Sequence, residues 1–295
     1  AAAAAGEGRV RREAADARGS VPRARRTHGR DRDRRREGGD EMTAHALSDT
    51  RVLTGRSLRH ILRSPDTIIT TAVTPIALML LFVFVLGGAI RTGSSESYIN
   101  YMLPGILLIT IASGIAYTSY RLFLDLQGGI FERFQSMPIA RSSVLWAHVL
   151  TSLVANIVSV ALVVGVAFAM GFRTGASPGA WLAVLGILVL FTLSLTWLAV
   201  IAGLSAKTVD GASAFSYPLI FLPFISSAFV PTSSMPGPVA WFAEHQPVTS
   251  IVDTIRALFA GQPVGGSIWI ALAWLVGILI VAYVVANVIY RKKIS

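Results

Sequence analysis

The residues with the clearest chemical signature lie in one short segment between two long apolar stretches. It runs from Asp125 to Arg141 and reads DLQGGIFERFQSMPIAR. Its paired glycines should end the preceding helix, and its proline should end a following one. Between these breaks, large apolar residues flank an acid and a base, which predicts a short helix with one apolar and one charged side. Such a helix suits docking into the groove of a partner protein. A membrane-surface loop without a partner is the alternative.

The side chains that catalytic and metal sites need are scarce in this sequence. There is no cysteine, and none of the three lysines, Lys207, Lys292 and Lys293, follows a glycine. The phosphate-binding pattern GxxxxGK[ST] is therefore missing, and we expect no ATPase site, cofactor or metal in this chain. The five histidines lack metal-ligand spacing. His148, near the start of an apolar stretch, is either a functional group or an ordinary helix-start residue.

Composition places the chain in a membrane. Of its 295 residues, 53% are hydrophobic and 14% are charged, whereas soluble domains contain about 25% charged residues. A single water-soluble core cannot bury so much apolar surface. This excludes a soluble enzyme, a disordered chain and a nucleic-acid binder. The net charge of +10, which resembles a nucleic-acid signal, comes partly from an arginine-rich beginning and partly from basic residues that flank apolar stretches.

Three regions follow from this distribution. Residues 1–41 have almost no large apolar residues and no signal-peptide core, so we expect no packed domain there. They are either a non-native stretch before a natural start at Met42 or a disordered basic tail at the cytoplasmic leaflet. Residues 42–65 are predicted to form an amphipathic helix on the cytoplasmic surface, or a positive flank that only orients the next helix. Residues 66–295 form the membrane domain.

Six stretches of the membrane domain are long enough to cross the hydrocarbon core as helices. These predicted spans cover about residues 68–90, 98–120, 144–170, 181–204, 212–230 and 268–290. The positive-inside rule selects cytoplasmic termini, because only three basic residues of this domain then lie outside: Arg91, Arg173 and Arg256. The predicted fold is an all-α integral membrane protein with six transmembrane helices. Helical spacing at Thr249–Ala260 predicts a re-entrant or interfacial helix before the last span.

Two predicted spans carry aromatic rings and hydroxyl groups that suit a path for amphipathic cargo. The path candidates are Ser113 and Tyr117 in the second span, and Tyr217, Phe221 and Phe224 in the fifth. Since the same residue types also pack membrane helices together, packing is the alternative for each. The fifth span contains Pro218 and Pro223, which predict a kinked or locally freed backbone. This kink either gates the path or is static.

The segment after the second span resembles the cytoplasmic coupling segment of type-2 ABC exporter permeases. Their pattern, Gly-x-[Phe/Leu]-[Glu/Asp]-Arg-[Phe/Leu]-x-x-[Met/Thr]-Pro-[Ile/Val]-x-Arg, is matched by Gly129, Phe131, Glu132, Arg133, Phe134, Met137, Pro138, Ile139 and Arg141. The daunorubicin-resistance branch is the most similar, because the chain also contains Tyr101-Met-Leu-Pro-Gly105, Phe229-Val-Pro-x-x-x-Met-Pro236 and Arg256-Ala-Leu-x-x-Gly261. The resemblance covers about residues 50–293. It departs at Gln246-Pro247, where the family usually has Asn-Pro.

The resemblance implies the permease subunit of an ATP-driven exporter in a bacterial plasma (inner) membrane. It implies two copies of this chain and two copies of a cytoplasmic ABC ATPase, which would bind ATP and Mg and press on the coupling segment. The implied cargo is a hydrophobic drug, antibiotic or lipid-like molecule, as in multidrug resistance. The alternatives are an exporter of a lipid-linked glycan, a secondary carrier or channel, and a membrane-embedded transferase or hydrolase. A carrier would need charges inside the membrane or an inverted repeat, and neither is visible.

Overall fold

The structure, a computed structural model, describes residues 65–87, 97–128 and 141–294. In these ranges every regular element is helical, which confirms the all-α prediction for the described part of the chain. Residues 1–41, the predicted amphipathic helix apart from its last residue, and most of the coupling segment lie outside the described residues. Predictions for those regions stay predictions.

The helices follow one another through short turns. They are α1 (Pro65–Leu80), continued by a π-helix (Leu81–Leu86), α2 (Tyr98–Gln127), α3 (Arg141–Ala169), α4 (Pro178–Ser205), α5 (Val209–Ala214), α6 (Ser216–Phe221), α7 (Gly237–His245), α8 (Pro247–Ala260) and α9 (Ser267–Ile294). Short 3-10 turns occupy Leu222–Ile225 and Thr232–Ser234.

Four helices in the described ranges are long and apolar enough to cross a membrane, namely α2, α3, α4 and α9. They coincide with the second, third, fourth and sixth predicted spans. The first and fifth predicted spans correspond to shorter apolar helical stretches, Ala72–Leu86 and Val209–Ile225. The far side of the first one, residues 88–96, lies outside the described residues. The count of six spans therefore stays a prediction.

The fifth predicted span is divided into α5, α6 and the 3-10 turn at Leu222–Ile225. Its two prolines, Pro218 and Pro223, explain part of this division. A proline has no amide hydrogen to donate and its ring crowds the preceding turn, so a regular helix is interrupted there. The predicted loss of regular backbone is confirmed.

Helix α2 lies at the centre of the bundle and packs against α1, α3, α4, α5, α6 and α8. Small residues permit this close packing. A Cβ atom on Gly105 would lie 2.5 Å from the Cβ of Ala228, and one on Gly203 would lie 2.9 Å from the carbonyl oxygen of Ser119. Small residues at such contacts are typical of membrane helix bundles, because they let backbones approach.

A buried set of polar side chains joins α2, α3 and α4, and we call it the hydroxyl cluster. The Thr118 hydroxyl donates to Ser152 Oγ at 2.9 Å, and the hydroxyls of Ser152 and Thr196 lie 3.3 Å apart. Asn156 Nδ2 donates to the Ser152 carbonyl at 2.9 Å. These hydrogen bonds connect three membrane-crossing helices in a region where side chains find no water.

Candidate functional site

Both ends of the predicted coupling segment are described, although residues 129–140 are not. Helix α2 ends at Gln127, and the amide of Gly128 donates to the Leu124 carbonyl at 2.8 Å. This confirms the helix end predicted from the paired glycines. Arg141, the last predicted coupling residue, is the first residue of α3. The other coupling candidates lie outside the described residues: Gly129, Phe131, Glu132, Arg133, Phe134, Met137 and Pro138.

An ion pair joins the two helices on either side of the coupling segment. His148 Nε2 lies 3.2 Å from Asp125 Oδ2, with side chains 16% and 33% exposed. Asp125 is in the last turn of α2, and His148 is about two turns from the start of α3. The sequence left the role of His148 open. The structure gives it a partner on another helix, and the pair fixes the end of α2 to the beginning of α3.

A second polar site lies at the opposite end of α2 and is centred on Arg256 of α8. Its Nε donates to the Tyr101 carbonyl at 3.1 Å, its Nη2 to the Ser227 carbonyl at 2.7 Å and its Nη1 to Asp253 Oδ1 at 2.8 Å. The guanidinium carbon lies 3.8 Å from the centre of the Tyr101 ring, which is a cation–π geometry. The Ser227 hydroxyl also donates to Asp253 Oδ1, at 2.6 Å. We call Tyr101, Ser227, Asp253 and Arg256 the arginine site.

Gln246 supplies hydrogen bonds to the interrupted helix. Its Nε2 donates to the carbonyls of Ile225 and Leu222, the latter at 3.4 Å. Such carbonyls need a partner because an apolar environment offers no water to replace the missing helical bonds. The amide therefore has a structural role at the position where this chain departs from the Asn-Pro pattern of the family that it resembles.

Two of the path candidates belong to a cluster of stacked phenylalanines. Phe224 lies with its ring centre 4.9 Å from that of Phe229 and 6.2 Å from that of Phe221. Phe82 of the π-helix completes the cluster, 4.7 Å from Phe229. The cluster joins the end of α1 to the interrupted helix. Phe221 is 62% exposed and so presents a face to the outside of this chain.

The other path candidates lie apart from that cluster. Tyr217 on α6 is 60% exposed. On α2, Ser113 is partly buried and Tyr117 is exposed, and the guanidinium carbon of Arg121 lies 5.7 Å from the centre of the Tyr117 ring. Among the described residues, no ring contact joins Tyr117 or Tyr217 to the phenylalanines. The path role of all five candidates stays a prediction.

Sequence reasoning missed the arginine site and the role of Gln246. From sequence alone, Arg256 counts only as one of the basic residues on the outer side. A local signal was present, because Asp253 and Arg256 are three residues apart on an amphipathic helix and such residues are neighbours on a helix surface. Nothing local indicates their partner Tyr101, which lies 155 residues earlier in the chain.

Comparison with known proteins gives a consistent result. The family described as "ABC-2 type transporter" matches residues 48–260. The chain is 26% identical over 257 residues to the daunorubicin resistance ABC transporter permease protein DrrB1 of Streptomyces coeruleorubidus, covering 85% of this chain and 88% of that protein. It is also 26% identical over 249 residues to the probable doxorubicin resistance ABC transporter permease protein DrrC of Mycobacterium tuberculosis, covering 83% of this chain and 89% of that protein.

Proposed function

The chain belongs to the ABC-2 type transporter family, and on that premise we propose that it is the membrane subunit of an ATP-driven exporter. The observation that carries the proposal is the family match over residues 48–260, which includes the coupling segment and both helices beside it. Relatives named for daunorubicin and doxorubicin resistance support a hydrophobic drug, antibiotic or lipid-like cargo.

The proposed assembly contains two copies of this chain and two copies of a cytoplasmic ABC ATPase, which supplies the sites for ATP and Mg. Each chain would cross a bacterial inner membrane six times, with both termini in the cytoplasm. The exposed rings of Tyr217 and Phe221 support a path at the boundary between the two copies, since a buried path needs partners for side chains that are about 60% exposed on one chain.

The structure supports a mechanical route from the ATPase to the path. A push on residues 129–140 would move α2 and α3 together, because the Asp125–His148 pair ties them at 3.2 Å. Helix α2 packs against α5 and α6, the elements beside the path candidates, and its other end contacts the arginine site. Rigid helices transmit such small displacements over their whole length.

Transport by coupling-segment variants tests the proposal. The chain is co-expressed with its ABC ATPase, and ATP-dependent uptake of daunorubicin is measured in inverted membrane vesicles. We expect Glu132→Ala and Gly129→Leu to abolish uptake, while membrane insertion and dimerisation persist. Glu244→Ala, which changes an exposed acid of α7, is the matched control. Full uptake by both coupling variants would show that the segment does not couple ATP to transport.

The ion pair offers a test on described residues. His148→Gln and Asp125→Asn remove the pair and leave the coupling segment intact. A partly exposed pair contributes at most about 1 kcal/mol to stability, so the variants should fold. We expect ATP hydrolysis to continue while transport per ATP falls. An unchanged transport-to-hydrolysis ratio would mean that the pair has no part in coupling.

A further inference from the structure

An apolar cavity of about 360 Å³ lies among α2, α3, α4 and the end of α8. Valine and leucine side chains such as Val160, Val164 and Leu188 line its walls. Three aromatic residues that line it contact one another: the ring centre of Trp181 lies 6.2 Å from that of Phe168 and 5.1 Å from that of Phe259. This aromatic rim stands where α3 ends and α4 begins, at one boundary of the membrane.

Water is a poor occupant of this cavity. Only two polar side chains, Asn156 and Thr192, are among its lining residues. The Thr192 hydroxyl donates to the Leu188 carbonyl at 2.7 Å, and Asn156 Nδ2 is used within the hydroxyl cluster. A buried water needs two to four polar partners, which this lining does not provide. The cavity therefore suits hydrocarbon.

The cavity is reachable from the surroundings of the bundle. Three of its lining residues, Ile157, Phe168 and Leu185, are 36%, 40% and 45% exposed. They belong to α3 and α4, two of the helices that are long and apolar enough to cross a membrane. Outside such helices the medium is the acyl chains of the bilayer, so the cavity can fill sideways from the lipid.

A cation stands beside the aromatic rim. The ring centre of Phe172 lies 5.2 Å from that of Phe168 and 5.3 Å from that of Phe259, and the next residue is Arg173. Arg173 is exposed, and its Nη1 donates to the Phe172 carbonyl at 3.0 Å. No carboxylate in the described part of the chain forms an ion pair with it. A guanidinium has five donors in all, so most of them are free for a phosphate.

We propose that this cavity binds one acyl chain of an anionic bilayer phospholipid, whose phosphate lies at Arg173. The two requirements of such a lipid meet here, because an apolar cavity that opens to hydrocarbon lies next to an unpaired cation at the membrane boundary. An apolar cavity of about 150 Å³ holds benzene, with its six carbon atoms, so this one has room for roughly a dozen carbons. The bound chain would fill the space among α2, α3 and α4.

Photolabelling in nanodiscs tests this site without requiring transport. The full-length chain is placed in phosphatidylcholine nanodiscs that contain phosphatidylglycerol with a diazirine in one acyl chain. After irradiation, labelled residues are mapped by peptide mass spectrometry. We expect labelling at Val164 and Leu188 to exceed that at Val281 and Val284, which are exposed on α9 and report on the surrounding lipid.

Two glycines provide matched variants. Gly165 lines the cavity and a Cβ there meets no atom within 4 Å, so Gly165→Leu fills the cavity without a clash. Gly186 on the neighbouring helix is exposed, also has open space and is not among the lining residues. We expect Gly165→Leu to lower cavity labelling about tenfold, while Gly186→Leu leaves it unchanged. Arg173→Gln should remove the preference for the phosphatidylglycerol probe over a phosphatidylcholine probe.

The remaining outcomes would overturn the proposal. Cavity labelling no stronger than labelling of α9 would show that no lipid is held. Equal labelling by both probes in the unaltered chain would exclude a role for the phosphate. Displacement of the probe by excess doxorubicin would identify the cavity as a cargo site, and persistence of labelling in Gly165→Leu would place the lipid elsewhere. If Gly165→Leu fails to fold, competition by unlabelled phosphatidylglycerol at Val164 decides the same question.

Discussion

Helices α2 and α9 are both long enough to cross a membrane, yet they occupy opposite environments. The apolar window of α2 is 78% buried inside the protein, whereas that of α9 is only 17% buried. The buried helix carries tyrosines, serines, threonines and glycines, and the exposed one consists largely of valine, isoleucine, leucine and alanine. In water the more apolar helix would be inside. Here it faces outward, because lipid accepts apolar side chains and polar ones find partners only within the bundle.

The same difference separates function from anchoring. Helix α2 ends at the Asp125–His148 pair on one side and contacts Arg256 on the other, so both polar sites of the described residues meet it. Helix α9 packs chiefly against α4 and α8. We therefore expect substitutions at α2 and its partners to disturb folding and transport, and equivalent substitutions on the outer face of α9 to be tolerated.

The largest contrast should come from the glycines of the two helices. In Gly105→Leu the new Cβ would lie 2.5 Å from the Cβ of Ala228, an atom that can move only with its backbone. Overpacking of this kind costs about 3 kcal/mol or more for a bulky side chain. Gly277→Leu on α9 meets no atom within 4 Å and should be neutral. Thermal unfolding in detergent, followed by size-exclusion chromatography, measures both. Equal midpoints would contradict the central position of α2.

The next largest effect is expected at the arginine site. Arg256→Ala removes three hydrogen bonds and the contact with the Tyr101 ring, and it leaves Asp253 without its cation. Since hydrogen bonds to charged groups contribute about 1.5–3 kcal/mol, we expect a loss of about 2–3 kcal/mol. Arg256→Lys keeps the charge without the planar fork and should be intermediate. The same unfolding assay measures both variants. An Arg256→Ala protein as stable as the unaltered chain would show that α8 is held by apolar packing alone.

A smaller effect is expected at Gln246. Gln246→Leu leaves the carbonyls of Leu222 and Ile225 without their donor, which costs about 1–3 kcal/mol for buried groups. Gln246→Asn keeps the amide but shortens it by one carbon, so it should recover only part of the loss. Hydrogen exchange of the peptides around residues 222–228 reports the local effect and should rise most for Gln246→Leu. Unchanged exchange in both variants would mean that the amide does not support the interrupted helix.

Much of the fold follows from local sequence because its signals act over a few residues. The start of α4 is one example: Ser177 accepts from the Ala180 amide at 3.2 Å and Pro178 follows it, as helix-start rules require. The end of α2 at Gly128 is another. The fifth predicted span shows the limit, since its prolines indicate a break but hydropathy alone reads residues 212–230 as one continuous stretch.

The candidate site was less predictable because its contacts are distant in sequence. Arg256 meets Tyr101 across 155 positions, and Tyr98 donates to the Phe229 carbonyl across 131. No residue spacing encodes such contacts, which depend on how the helices pack. The coupling segment was recognisable because its glycines, charges and proline are contiguous.

The smallest effect should come from the hydroxyl cluster, and it sharpens the comparison of the two helices. Ser152→Ala removes the hydroxyl that Thr118 of α2 and Thr196 of α4 share. Side-chain hydrogen bonds between membrane helices contribute about 0.6 kcal/mol on average, so we expect a loss of about that size. Asn287→Ala on α9 removes an amide that bonds only within its own helix, to the Tyr283 carbonyl at 2.8 Å, and should change nothing measurable. Comparing the two unfolding midpoints decides whether polar groups stabilise this bundle through contacts between helices, and a larger loss in Asn287→Ala would reverse that conclusion.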